Sequence, residues 1–351
     1  MAKKKSKDSS GTRTVLSVLC VMLGLILAVM LSGTVYAEYL LGKMNYVAPD
    51  ETQPRLSQEE YDAMKETEEH DPDFTGPQMN GDDVTLDDPN AQIGGEGQNI
   101  VNILLIGQDT TNGTRARSDS MILVTVNKDK NTITMTSFLR DLYVKIPGYK
   151  KNRINASYAL GGMTLLDETL ETNFGVHVDG NVEVDFNHFT EIIDLLHGVT
   201  IDLTAAEASY INKWVPEEKA VEGVNRLSGA QALMYARNRH DARGDFNRTN
   251  RQRTLLNALI EEYKNTSLTT MLGMLDDILP MITTDLTRKE IVGYAQEFLP
   301  MLASAEIVTQ RIPADDCYKM AMIDGMSVLV PDINKNVQIL VDSLTESDGV
   351  G

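Results

Sequence analysis

Cysteine is almost absent from this chain: of its 351 residues only Cys20 and Cys317 are cysteines. That scarcity excludes cysteine-rich zinc modules. Cys20 falls inside an apolar run, so the part of the chain beyond that run holds one thiol and no internal disulfide, and its stability must come from a core. Excess positive charge is absent too. The formal net charge of −19 argues against a nucleic-acid binder, which needs a basic footprint to displace phosphate counterions. His177, His188, His197 and His240 lack the H-x-x-x-H spacing of a metal site. Ser118, Ser120 and Ser137 lack a G-x-S-x-G elbow, which argues against a serine hydrolase. Leu160-Gly161-Gly162 lacks the Walker lysine and reads as helix punctuation. No internal repeat is present.

With 42% hydrophobic and 24% charged residues, the chain can bury the core of one large domain or two modest ones. Its one long apolar run, Val15 to about Ala37, carries no charge and is long enough to cross a bilayer. Lys3, Lys4, Lys5, Lys7 and Arg13 precede it, an arrangement that keeps the N-terminus cytoplasmic and delivers the rest to the outer face. A cleaved signal peptide ending at Val35-Tyr36-Ala37 and a buried core helix are the alternatives, and the run is long for both. From Asp50 to Asp88 there are fourteen Asp or Glu against Arg55 and Lys65, the composition of a solvated linker. A calcium site in this stretch lacks ordered ligand spacing. The expected organisation is a cytoplasmic basic tail over 1–13, a transmembrane signal-anchor over 14–37, an acidic and largely disordered linker over 38–98, one α/β domain over 99–345, and a flexible tail over 346–351. This describes a single-pass cell-membrane protein with its large domain extracellular.

From Asn99 short β-branched runs alternate with amphipathic stretches, which predicts an α/β domain. Strands are expected at Asn99 to Ile106, Met121 to Asn127 and Thr132 to Ser137, the last two joined as a hairpin by Lys128-Asp129-Lys130-Asn131. A helix is expected over roughly Thr164 to Phe174 with Gly175 as its stop, and another around Phe189 to Leu196 closed by Gly198. Ser228 followed by Gln231 marks a capping-box start. A longer helix should run from about Phe246 to Lys264.

Chemistry can be sought in carboxylates and arginines. Asp109 lies just past the end of the first strand and Asp119 just before the second. Two carboxylates at strand ends could hold a hard cation such as magnesium, which takes one or two protein carboxylates and completes its shell with water and phosphate. They could equally be strand-end caps and turn residues. Arg140 follows the third strand directly, and Arg237, Arg239, Arg243, Arg248, Arg251 and Arg253 crowd into seventeen residues that contain no lysine. If the Ser228 helix ends near Ala236, extended chain puts Arg237 and Arg239 on one side. Arg248, Arg251 and Gln252 share a helix face, with Asp245 as a plausible N-cap. Such a cluster is either a solvated basic face or a pyrophosphate clamp, for which planar guanidinium groups are well suited.

These residues resemble the LytR-CpsA-Psr family of extracytoplasmic phosphotransferases over Asn99 to at least Leu259. The matching stretches are Asn102 to Asp109, Arg117-Ser118-Asp119-Ser120, Ser137 to Asp141 with Tyr143-Val144 and Ile146-Pro147-Gly148, Arg153-Ile154-Asn155, Tyr235 to Arg239, and Asp245 to Arg248 leading to Arg251-Gln252. The resemblance implies an α/β/α sandwich with a central mixed sheet and an apolar tunnel for a polyprenyl chain. By position it implies that Asp109 and Asp119 hold Mg2+, with Mn2+ as the alternative ion, and that Arg117, Arg140, Arg237, Arg239, Arg248 and Gln252 hold pyrophosphate. Thr111, Leu139 and Ser120 depart from the usual arginine, proline and threonine of the pattern.

The reaction it implies moves a glycopolymer, teichoic acid or a capsular or secondary wall polysaccharide, from a polyprenyl pyrophosphate carrier to peptidoglycan. Arg140, Arg237 and Arg239 would act on the transferring phosphate, and Asp245 could accept the acceptor's proton or cap its helix. Expected partners are the lipid-linked glycopolymer, the peptidoglycan acceptor and the bilayer, with no nucleic acid. A pyrophosphatase acting on the same lipid and a non-catalytic receptor or regulator of wall precursors are the alternatives.

Overall fold

The β-branched runs that follow Asn99 form the centre of a mixed sheet. The structure, a computed structural model, describes residues 39–48, 55–64, 76–108, 117–238, 244–263, 274, 276–302 and 305–345. The expected basic tail, membrane span and C-terminal tail lie outside these. Among the described residues no helix is long and apolar enough to cross a membrane.

The chain divides into two compact units. The sheet unit comprises Asn45–Asn187, Ile282–Leu286 and Thr309–Gly351, and the helical unit comprises Met1–Met44, His188–Met281 and Thr287–Val308. Strands of the sheet unit are β1 (Asn45–Tyr46), β2 (Gln78–Met79), β3 (Ile100–Gln108), β4 (Ser118–Asn127), β5 (Thr132–Phe138), β6 (Tyr143–Val144), β7 (Asn152–Arg153) and β8 (Gly180–Asp185). In the helical unit β9 (Val199–Leu203) pairs antiparallel with β10 (Gly223–Leu227). The later strands are β11 (Thr283–Thr284), β12 (Glu306–Ile312), β13 (Tyr318–Ile323) and β14 (Met326–Pro331). One seven-stranded sheet has the order β1-β11-β8-β3-β4-β5-β12. It is mixed: β3 lies parallel to β8 and antiparallel to β4. The central mixed sheet inferred from sequence is therefore present.

The expected hairpin forms with Asn127 facing Thr132. Its turn is held by Asn127, whose Oδ1 accepts from the backbone N–H of Asp129 and Lys130, both at 3.1 Å, the local bonding that makes asparagine a turn residue. Alternate residues of the central strands, Leu104 and Ile106 of β3 and Met121 and Leu123 of β4, point into one core with the helices α2 (Asn155–Phe174) and α8 (Ile333–Thr345). Leu165, Leu166, Leu170 and Phe174 of α2 and Val337 of α8 are completely buried there.

The helix α2 begins earlier than its expected start near Thr164, because its first turns are buried all round and carry no amphipathic signal. It breaks where the glycine pair predicted punctuation, Gly162 adopting φ 65° and ψ −154°. It stops at Gly175, left-handed at φ 66°. A Cβ there would lie 2.0 Å from the Ala91 carbonyl oxygen, so only glycine serves both the turn and the close approach.

Within the acidic stretch, expected as a largely disordered linker, several described segments are docked on the sheet unit. Leu56 packs against the main core, and its backbone N–H donates to the Leu160 carbonyl of α2 at 2.8 Å. Val84 and Leu86 are buried with Tyr143, Ala321, Ile323 and Val328, and Ile93 bridges to Val176. Lys151 Nζ donates to the Gly81 carbonyl at 3.1 Å and also to that of Val84. A few apolar residues spaced among carboxylates suffice to dock the chain when lysines of the body meet its carbonyls. Burial and the charges of Asp324 and Asp82 push the Tyr143 hydroxyl up to about 12.

In the helical unit, α3 (Phe186–Leu195) leads into β9, and α4 (Ala205–Trp214) connects β9 to β10. Then follow α5 (Gly229–Arg237), α6 (Gly244–Tyr263) and α7 (Arg288–Leu302); α1 (Gln58–Met64) belongs to the sheet unit. Ser228 caps α5 with the expected reciprocal box to Gln231, and Thr204 caps α4 in the same way with Glu207. Ile193, Val199, Ile201, Ile211, Leu227, Ala232 and Leu255 share the core of this unit.

One buried cluster of the sheet unit makes stability depend on pH. Asn181 Nδ2 donates to Asp167 Oδ2 at 2.8 Å and to Asp285 Oδ2 at 2.7 Å. Burial pushes the Asp167 carboxyl well above its ordinary 3.8, against the Asn181 bond and with help from the charges of Asp285, Glu168 and Glu171. A carboxyl raised in the folded state stabilises the fold fully below its unfolded value, and that contribution is lost as pH rises through the folded one. Urea midpoints of Asp167→Asn should therefore fall less than those of the wild type as pH is raised from about 4 towards neutrality. Parallel profiles for the two proteins would contradict the assignment.

Candidate active site

The strands β3 and β8 run parallel and end on the same edge of the sheet, Gln108 beside Asp185. β4 runs against β3 and so begins at that edge, and β5 runs against β4 and so ends there. Ligands of open α/β sheets bind outside such strand ends.

The decisive local feature is a bulge. Gly107 faces Ser120 while the next residue, Gln108, faces Ser118, so Asp119 is the extra residue of β4. A bulge re-aims the side chain it carries and is common beside active sites. Asp119 thus lies within the strand, one residue after its start, rather than just before it as the sequence suggested. Arg140 Nη1 donates to Asp119 Oδ1 at 2.7 Å, with the two side chains 17% and 11% exposed. At that depth the pair feels less screening than a surface ion pair, and removing one partner leaves the other poorly compensated.

Arg140 sits in the turn after β5, which tertiary bonds fix on both sides. The Leu139 N–H donates to the Ile312 carbonyl at 2.8 Å, and the Asn155 N–H, at the start of α2, donates to the Arg140 carbonyl at 3.4 Å. Asp141 lies 3.8 Å from Arg140 Nε and 3.3 Å from Arg153 Nε. Arg153 also donates to the Ser327 carbonyl, at 2.7 Å from Nη2. The edge therefore carries alternating charges, Asp119, Arg140, Asp141 and Arg153. Asp141 and Arg153 were not singled out from sequence as site residues; the adjacency of Arg140 and Asp141, and the arginine of Arg153-Ile154-Asn155, were the available signals. Arg117, expected to bind pyrophosphate, lies just before β4 and is partly buried.

Behind this edge Glu183 of β8 is buried and accepts from Tyr158 of α2 and from the amide of Gln108. Burial raises its carboxyl above the ordinary range, the Tyr158 bond opposes this, and the charge of Asp185 adds to it. Nothing in the sequence distinguishes Glu183 from a surface glutamate. The side chains of Asp109, expected to follow β3, and of Asp245 lie outside the described residues, as does Arg239. Among the described residues no group of three or more His, Cys, Asp or Glu could hold a metal ion. A magnesium ion does not need one, since one or two carboxylates with phosphate and water complete its shell. Asp119, at a re-aimed strand position, can supply one such carboxylate.

The helical unit carries the other expected site residues. Arg237 is the last residue of α5, one later than the expected stop at Ala236, and Asn238 turns extended at φ −64° and ψ 123°. Arg248 and Gln252 are four apart on α6 and so share a face, Arg248 being 2% exposed. The helix α6 starts at Gly244, which places Asp245 in its first turn rather than at the cap. Arg251 does not continue the expected open face: it is buried and bonds Glu207 at 2.6 Å.

The model of the LytR_cpsA_psr family matches residues 56–343. Regulatory protein MsrR of Staphylococcus aureus (strain COL) is 32% identical over 267 residues, 75% of this chain and 80% of that protein. The polyisoprenyl-teichoic acid–peptidoglycan teichoic acid transferase TagU of Bacillus subtilis (strain 168) is 38% identical over 173 residues, 49% of this chain and 55% of that protein. The solved structure of LytR-CPS2A-psr family protein YwtF (TagT) with bound octaprenyl pyrophosphate lipid is similar at a TM-score of 0.52 and 25% identity, covering 72% of this chain and 92% of that one. A family match over residues 56–343 together with a relative 32% identical across 75% of the sequence is decisive, and the chain belongs to the LytR-CpsA-Psr family.

Proposed function

We propose that this protein is a membrane-anchored phosphotransferase that moves a glycopolymer from a polyprenyl pyrophosphate carrier to peptidoglycan on the outer face of the cell membrane. The observation that carries the reading is the bulged Asp119 paired with Arg140 at the strand-end edge. It is supported by the teichoic acid transferase named among the relatives and by the octaprenyl pyrophosphate held by the structural neighbour. The apolar run over 14–37, with its basic flank, supplies the anchor.

In the proposed reaction an acceptor sugar hydroxyl attacks the sugar-proximal phosphorus. A new phosphorus–oxygen bond forms, the bond from that phosphorus to the bridging oxygen breaks, and polyprenyl phosphate leaves with the electron pair. Arg140 neutralises charge on the transferring group, the main form of catalysis for phosphoryl transfer. The family resemblance gives pyrophosphate binding to Arg117 and Arg140 of the sheet unit and, separately, to Arg237, Arg239, Arg248 and Gln252 of the helical unit. Asp109 and Asp119 would hold a magnesium ion, which when bound adds a further positive charge against the phosphate oxygens. Asp245 is the candidate acceptor of the hydroxyl proton. The pyrophosphate bond supplies the driving force, and no nucleotide is required.

The word regulatory in the name of MsrR favours a second reading, a receptor for wall precursors without turnover. Mass spectrometry of the purified full-length protein in detergent tests what both readings share: a copurifying polyprenyl phosphate or pyrophosphate is expected. A protein that carries none and takes up no added octaprenyl pyrophosphate would overturn both.

A further inference from the structure

The arginine crowd contains one member that does not behave as a ligand-binding residue. Arg251, in the middle of α6, is 9% exposed and Glu207, in the first turn of α4, 8%. Arg251 Nε donates to Glu207 Oε1 at 2.6 Å, and Arg251 Nη1 donates to the Asn238 carbonyl at 2.9 Å. The other Glu207 oxygen accepts from the Thr204 N–H at 2.9 Å and the Thr204 hydroxyl at 2.8 Å, closing the capping box of α4. One planar guanidinium thus ties three helices together: the start of α4, the middle of α6, and Asn238, the residue that directly follows α5.

The third contact has the functional consequence. Asn238 leaves the helical conformation directly after Arg237 and is 4% exposed. A buried carbonyl there needs a donor, and Arg251 supplies one from a fork whose angle is fixed by conjugation. The carbonyl directly after Arg237 is thus held by that fork.

We propose that Glu207 and Arg251 form a buried strut that positions Arg237 for the pyrophosphate of the lipid carrier. The proposal rests on the reading above that Arg237 contacts pyrophosphate, and Glu207 and Arg251 are positioning residues rather than ligands. Lysine at position 251 cannot replace the fork, because one ammonium on a flexible stem lacks the fixed angle that serves Glu207 and the Asn238 carbonyl together. Glutamine at position 207 keeps an acceptor for the cap but removes the charge that compensates Arg251.

The test titrates full-length Arg251→Lys, Glu207→Gln, Leu255→Ala and wild type with octaprenyl pyrophosphate and octaprenyl monophosphate, below the melting temperature of each. Leu255 is on the same helix, 2% exposed and in the core, so its truncation loosens the unit without touching the strut. The preference of wild type for pyrophosphate over monophosphate should fall on the order of tenfold in Arg251→Lys and Glu207→Gln, about 1.4 kcal/mol. Leu255→Ala should melt lower yet keep the wild-type preference. An unchanged preference in cooperatively melting Arg251→Lys or Glu207→Gln protein overturns the strut, and so does an equal loss in Leu255→Ala. A wild type that binds both lipids alike refutes the pyrophosphate role of Arg237 itself, and the strut falls with it.

Discussion

Arg140→Ala should lower transfer of glycopolymer about 10²- to 10³-fold, the loss typical when a preorganised donor to developing charge is removed. The Arg140 side chain is 17% exposed, and its guanidinium bonds Asp119 at 2.7 Å with the Asp141 carboxylate nearby at 3.8 Å. Its backbone is fixed by the Asn155 N–H as well. Little reorganisation is then needed when charge develops on the transferring phosphate, which is what makes a fixed cation effective. Arg140→Lys should recover only part of the activity, because a point charge cannot reproduce the fork. Both variants should still melt cooperatively, since Leu139 and Leu142, which flank Arg140 and Asp141 and are 1% and 0% exposed, remain in place. Turnover measured on a defined lipid-linked substrate checks the prediction, and near-normal transfer by Arg140→Ala would remove Arg140 from the mechanism.

The second large effect is expected at Asp119. Asp119→Asn keeps the bulge and the shape of the side chain but removes its charge, so the partner of Arg140 and the proposed cation ligand are lost together. Transfer should fall by about two orders of magnitude or more. Binding of octaprenyl pyrophosphate should persist, because every arginine proposed to meet the phosphates is still present and Arg140 loses only the carboxylate charge of its partner. This separation distinguishes catalysis from reception: a receptor that only binds wall precursors would lose nothing measurable, whereas a transferase keeps its lipid and stops turning over. Retained transfer in Asp119→Asn would show that the carboxylate belongs to the strand and not to the chemistry.

The legibility of this chain in its sequence follows the range of the interactions involved. The β4–β5 hairpin was readable because Asn127 builds its turn from neighbours two and three residues on. The cap of α5 was readable because Ser228 and Gln231 bond one another across one turn. Gly175 was readable as a stop through its backbone freedom alone. The bulge at Asp119 was not, since it exists only in the register of β4 against β3. Arg251 was read as sharing one helix face with Arg248 and Gln252 in the arginine cluster, because its partner, Glu207, lies 44 residues away. In the acidic stretch the average charge concealed Val84 and Leu86, whose burial depends on the distant residues Tyr143 and Ile323. What was missed is in each case a pairing that no local window contains.

The most direct test of the central claim is product analysis after incubating the full-length protein with a glycan-loaded polyprenyl pyrophosphate and peptidoglycan strands. The account predicts sugar-phosphate covalently joined to the glycan strands, with polyprenyl monophosphate released in equal amount. Free sugar-phosphate would instead identify water as the acceptor and the protein as a hydrolase, and no release of polyprenyl phosphate at all, with the lipid still bound, would contradict catalysis altogether.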